Sequence, residues 1–176
     1  MEQSMQSQEV VADFFAHGYR ISGAFPTTNQ NIAGAILDPN TSYLLINDAY
    51  LSPITDPATI SAYYETTLLA KSSLDFVLTM DPADALRRGQ HYRTSSTLEV
   101  HIAMTVPFFE LKGKVRTISR SFDPRAFLSN EVGSFITVMD VTASCTFRPE
   151  IQYEGGAAII SKKNISFFGE TSEAMP

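Results

Sequence analysis

The chain has one cysteine, Cys145, and no tryptophan. A lone cysteine excludes an internal disulfide and a cysteine-built metal site, and on a strand it reads as a small buried apolar residue. No apolar run approaches the length of about eighteen residues that crosses a membrane as a helix. The polar start from Met1 to Gln8 lacks the basic opening and apolar stretch of a secretory signal, so the sequence reads as cytoplasmic and without membrane contact. Also missing are the Gly-x-Ser-x-Gly elbow, the P-loop and the dinucleotide fingerprint. His17, His91 and His101 have no carboxylate or second histidine at a spacing that would orient them for catalysis. Together these absences point away from an enzyme and imply no cofactor.

What the sequence does contain is itself, twice. Glu9-Val10 and Tyr19 to Gly23 fall on Glu99-Val100 and Phe109 to Gly113, a shift of 90 residues. Ser42 to Ala49 falls on Ser134 to Val141, a shift of 92, and Leu68 to Val77 falls on Ile159 to Phe168, a shift of 91. Block order and apolar phase are kept while the shift drifts by two, as loop-length changes in a duplicated unit would give. Each copy holds about 70 residues and buries a small core alone, which packing two copies together would remedy.

Composition favours strands. The 12 Phe and 7 Tyr in a chain 44% apolar and 18% charged are those of a β-rich globular protein. Alternation predicts strands at Tyr43 to Ile46 and Phe135 to Met139, and a strand, tight turn and strand in the third block. Leu45, Leu69, Phe76, Val138, Ile160 and Phe167 are the expected core positions. Asp123-Pro124 and Asp81-Pro82 open two short helices, the second running to Gly89, and Thr55-Asp56-Pro57 opens a helical turn running to Tyr64. Gly18 and Pro107 predict a break at matching places. The expected organisation is a first β-repeat over 9–80, a linker with a short helix over 81–98 and a second β-repeat over 99–170. The fold class is mainly β, a tandem duplication of a small β-barrel or sheet domain packed by pseudo-two-fold symmetry.

Charge separates the copies. Residues 9–80 hold seven acidic side chains against two basic ones, whereas residues 99–170 balance eight against eight. Five of those bases, Lys112, Lys114, Arg116, Arg120 and Arg125, crowd into one stretch and form the candidate anion- or partner-binding segment. A sequence pI near 5.0 opposes nucleic-acid binding as the main role. Asp48 and Asp140 are carboxylates at matched positions. They would either cap turns or face one another as an acid–base or metal pair.

Leu44 to Ala49, Phe135 to Val141 and Ile159 to Phe168 resemble the two strand signatures of Sm-like small β-barrels, with Leu68 to Val77 a looser match. The resemblance implies a barrel topology. The basic-Gly pair of that family's RNA site is replaced here by Ala70-Lys71 and Ser161-Lys162, so RNA binding is not implied with it. Arg116-x-x-x-Arg120 is similar to the element by which PilZ-type barrels hold a cyclic dinucleotide, although the family's second element is lacking. The function expected is non-enzymatic binding and assembly, with a protein or a second copy as partner and head-to-tail association through unlike faces. The alternative is an anion-binding regulator, for RNA or a cyclic dinucleotide, on residues 112–125.

Overall fold

The computed structural model describes residues 8–86, 98–130 and 133–172. The protein is mainly β, as the composition implies. Its first half runs β1 (Glu9–Ala16), β2 (Tyr19–Pro26), α1 (Ile32–Leu37), β3 (Tyr43–Pro53), β4 (Ala62–Ala70), a 3-10 turn (Lys71–Ser73) and β5 (Leu74–Thr79). A 3-10 turn (Pro82–Ala85) follows. The second half runs β6 (Leu98–Val106), β7 (Phe109–Thr117), α2 (Pro124–Asn130), β8 (Phe135–Cys145), β9 (Gln152–Ser161), a 3-10 turn (Lys162–Asn164) and β10 (Phe167–Glu170).

The ten strands of the described residues form one antiparallel sheet in the order β10-β6-β7-β8-β9-β5-β1-β2-β3-β4. Pairing repeats between the halves residue by residue. Phe15 opposes Phe76 as Thr105 opposes Phe167, Tyr19 opposes Pro53 as Phe109 opposes Cys145, and Leu44 opposes Leu69 as Ile136 opposes Ile160. The halves meet where β5 pairs with β9, the fifth strand of one half against the fourth of the other. A two-fold relation would need a matching joint between β4 and β10, which instead stand at opposite ends of the sheet, so the strand pairing does not show the expected pseudo-two-fold packing.

The same bulge breaks both halves. Asp48 and Asp140 take left-handed φ values of 47° and 49°, a region where a short polar side chain is tolerated better than a branched one. Each bulge resets the inward phase: Leu44 and Ile46 are buried before Asp48 and Ala49 after it, as Ile136 and Val138 precede Val141. The strand opposite must come close, and glycine permits it. A Cβ on Gly23 would lie 2.5 Å from Ile46 and 3.0 Å from the Asn47 carbonyl, and one on Gly113 2.6 Å from Val138 and 2.7 Å from the Met139 carbonyl.

Two apolar clusters form, one on each side of the joint. Phe15, Ile54, Phe76 and Leu78 of the first half join the cluster built mainly from the second. Ala157 and Ile159 of the second join the cluster built mainly from the first. Phe76 lies at the centre, stacked on Phe15 at 4.3 Å and edge-on to Phe109 at 5.1 Å.

Several local expectations change. Thr55 to Pro57 belongs to a turn and Tyr63 and Tyr64 to β4, because cross-strand pairing with Tyr50 and Ala49 outweighs the helix-opening proline. Among the described residues the segment from Asp81 forms the Pro82–Ala85 3-10 turn, capped by Asp81; residues 87–97 of the expected linker, His91 included, lie outside the described residues, and Leu98 opens β6. The helix after Asp123 forms, with the Asp123 carboxylate accepting from the Arg125 and Ala126 N–H groups. Leu69, Phe76, Val138 and Ile160 are core residues, but Leu45 is 42% and Phe167 75% exposed.

Candidate functional site

The basic stretch is placed on β7, two strands in from the β10 edge. There the close approach of Gly113 to the Asp140 bulge of β8 leaves Lys112 and Lys114 flanking it, with Arg116 one alternation further on. A shallow groove of about 510 Å³ runs between Lys112, Lys114, His101, Asp140 and Thr142, reaching Thr171 and Ser172. A smaller hollow of about 170 Å³ adjoins it between Glu99, Lys114, Arg116 and Asp140. Lys112, Lys114 and Arg116 are thus brought together. Arg120 and Arg125 lie beyond the end of β7 and on α2, outside both hollows.

Each of the three bases faces a carboxylate of its own half. Lys112 pairs with Glu110 at 3.4 Å, Lys114 with Asp140 at 3.4 Å and Glu99 at 3.6 Å, and Arg116 with Glu99 at 3.2 Å. The hydrogen bond to Asp140 and the charges of Glu99 and Asp140 push the Lys114 ammonium above its ordinary value. Three cations against three anions leave the groove close to neutral. An incoming phosphate would have to displace these carboxylates, and each exposed pair is worth about 0–1 kcal/mol.

Asp48 and Asp140 do not face one another. Asp48 accepts from the Tyr63 hydroxyl at 2.7 Å, which pushes that phenol up to about 12, while Asp140 is engaged by Lys114. Among the described residues no group of three His, Cys, Asp or Glu side chains could hold a metal, and no helix is long and apolar enough to cross a membrane. The two lysines at the positions of the Sm-like basic-Gly pair point inward instead. Lys71 Nζ donates to the Asp38 carbonyl and Thr41 hydroxyl, and Lys162 Nζ donates to the Leu128 carbonyl. Burial pulls the Lys71 ammonium down, with the Asp38 charge opposing it.

Exposed sheet edges are expected from the sequence, but not their place, which is at β4 and β10, the two ends of the sheet. Where β5 pairs with β9, Phe76 is fully buried and Ile159 and Phe109 are 1% and 2% exposed. The residues at the matching places by the end strands are not covered: Phe167 is 75%, Leu68 63% and Tyr19 44% exposed. The match of Leu68 to Ile159 and of Phe76 to Phe167 was legible in the repeat. Which copy of each strand is left unpaired was not, because that depends on how the halves join. Comparison with protein-family models, with curated proteins and with solved structures finds no match to this chain.

Proposed function

We propose that this protein is a non-enzymatic binding and assembly module made of two copies of one β-unit, working through the unpaired edges of its sheet. The observation that carries the reading is the contrast at matched positions: apolar side chains sealed at the joint between the halves stand exposed at the ends of the sheet. An edge with free N–H and C=O groups and exposed aromatics is a template for another strand. The residue-by-residue repetition of the ladder, including both bulges, supports the duplication and the division near residues 80 and 98. The inward lysines Lys71 and Lys162 support an assembly role over RNA binding.

Sedimentation of the full chain between about 1 and 100 μM tests this. Mass should grow with concentration, and Leu68→Lys with Phe167→Lys should abolish the growth while thermal unfolding stays that of the wild type. A chain that remains monomeric across the range, unaffected by these substitutions, overturns the reading.

The gathering of Lys112, Lys114 and Arg116 along β7 supports a second reading, an anion-binding regulator, in which the anion would displace Glu99, Glu110 and Asp140 from these bases. Its test is a thermal-shift titration with cyclic dinucleotides and short RNA, since a ligand bound only by the folded state must raise its stability. Stabilisation lost on Arg116→Gln would establish it, and no shift would exclude it.

A further inference from the structure

The joint within the chain defines the joint between chains. We propose that β4 of one molecule pairs antiparallel with β10 of a second copy, in the register that β9 and β5 already use within one chain. The inference rests on the assembly reading above and names its occupant.

The register follows from the repeat. Phe76 opposes Ile160 and Leu78 opposes Ala158 across the internal joint. The shift of 91 residues carries Ile160 to Leu69, Ala158 to Thr67, Phe76 to Phe167 and Leu78 to Gly169. Leu69 and Thr67 lie on the terminal strand β4, and Phe167 and Gly169 on the terminal strand β10. Phe167 therefore meets Leu69 of the next molecule and Gly169 meets Thr67, while Leu68 meets Phe168 between them. The strands on which these edges rest already match. Phe167 opposes Thr105 on β6 as Phe76 opposes Phe15 on β1, and Leu69 opposes Leu44 on β3 as Ile160 opposes Ile136 on β8.

The side chains fit the same plan. Phe76 is covered from the other half by Phe109, and the residue at that place in the first half is Tyr19. In the intermolecular joint Tyr19 covers Phe167, so both lose their exposure together. One difference limits the contact. At the internal joint Gly155 and Gly156 let the chain leaving β5 pass close by, with a Cβ on Gly156 only 2.2 Å from the Met80 carbonyl. Tyr64 and Glu65 hold these places on β4, so the new ladder stops at Glu170 opposite Thr66. Because a fourth-type strand meets a fifth-type strand, the contact is heterologous and leaves the same two edges free after each addition.

Cysteine cross-linking distinguishes this joint from others. Gly169→Cys adds a Cβ that meets no atom within 4 Å, and Thr67 is a half-buried position on β4. With a short thiol-specific cross-linker, a mixture of Thr67→Cys and Gly169→Cys molecules at about 100 μM should yield a covalent dimer. Neither variant alone should do so, nor should the wild type, whose Cys145 is buried. Phe167→Ala should weaken association more than about tenfold without lowering the thermal midpoint of the monomer, as loss of a central interface aromatic does. Cross-linking of either variant with itself, or assembly without any cross-link, overturns the β4–β10 joint while leaving self-assembly standing. Absence of both cross-link and assembly overturns the two together.

Discussion

Phe76 and Phe167 occupy matched positions and have opposite energetics. Phe76 is sealed between Phe15, Phe109 and the aliphatic side chains around it, so Phe76→Ala should cost about 3–5 kcal/mol of folding stability. Phe167→Ala should cost the isolated molecule less than about 1 kcal/mol, because a side chain 75% exposed leaves no cavity when truncated. Urea unfolding of dilute protein checks both. A second residue-scale outcome concerns Asp75, whose carboxyl is pushed up by burial against the opposing influence of the His17 N–H and the Asn164 amide. A carboxyl with a raised folded pKa holds its proton more tightly when folded. Its stabilisation is thus present below the unfolded value and lost as pH rises through the folded one. Asp75→Asn should accordingly gain relative to wild type as pH rises from about 4, near the ordinary carboxylate value, toward neutrality. A pH series of melting points in which Asp75→Asn loses ground to wild type over that interval would reverse this assignment.

Elements were legible to different depths. Strands at Tyr43 and Phe135 stood out because β-branched and aromatic residues alternate there, and the Asp123 helix because its cap and proline agree. The helix α1 carries Asn31 as its cap, accepting from the Gly34 N–H, yet six residues of Ile, Ala, Gly and Leu give no helical period to read. Tyr63 and Tyr64 were lost to a helical turn because Asp56-Pro57 is a local signal and strand pairing is not. Of the candidate site, clustering of Lys112, Lys114 and Arg116 could be foreseen from spacing alone, whereas their neutralisation by Glu99, Glu110 and Asp140 needs three adjacent strands and a bulge. That bulge also gives an element-scale outcome. Gly113→Ala puts a methyl group 2.7 Å from the Met139 carbonyl, which belongs to the backbone and cannot swing aside. It should lower stability by about 1–3 kcal/mol, as overpacking does. Gly169→Ala, on open surface, should be nearly silent in the same denaturation experiment.

At the scale of the molecule the decisive property is that neither half closes a core by itself. Every residue of β5 is buried and so is the latter part of β9, which sequence patterning cannot distinguish from strands covered on one side only. Phe15, Ile54 and Phe76 complete the cluster of the second half, and Ala157 and Ile159 complete that of the first. A sequence divided into two repeats suggests two folding units, but these shared strands couple them. Heating should therefore give a single transition with calorimetric and van't Hoff enthalpies equal, the behaviour of one cooperative unit. Ile160→Ala, which thins the joint from the β9 side, should move that transition down as a whole, by about 2–5 kcal/mol in free energy. Two separated transitions in the wild type, or a low-temperature step appearing only in Ile160→Ala with the first half melting unchanged, would mean that the halves are independent. In that case the β5–β9 joint would be a contact between finished domains, and the edge strands β4 and β10 would lose their best template.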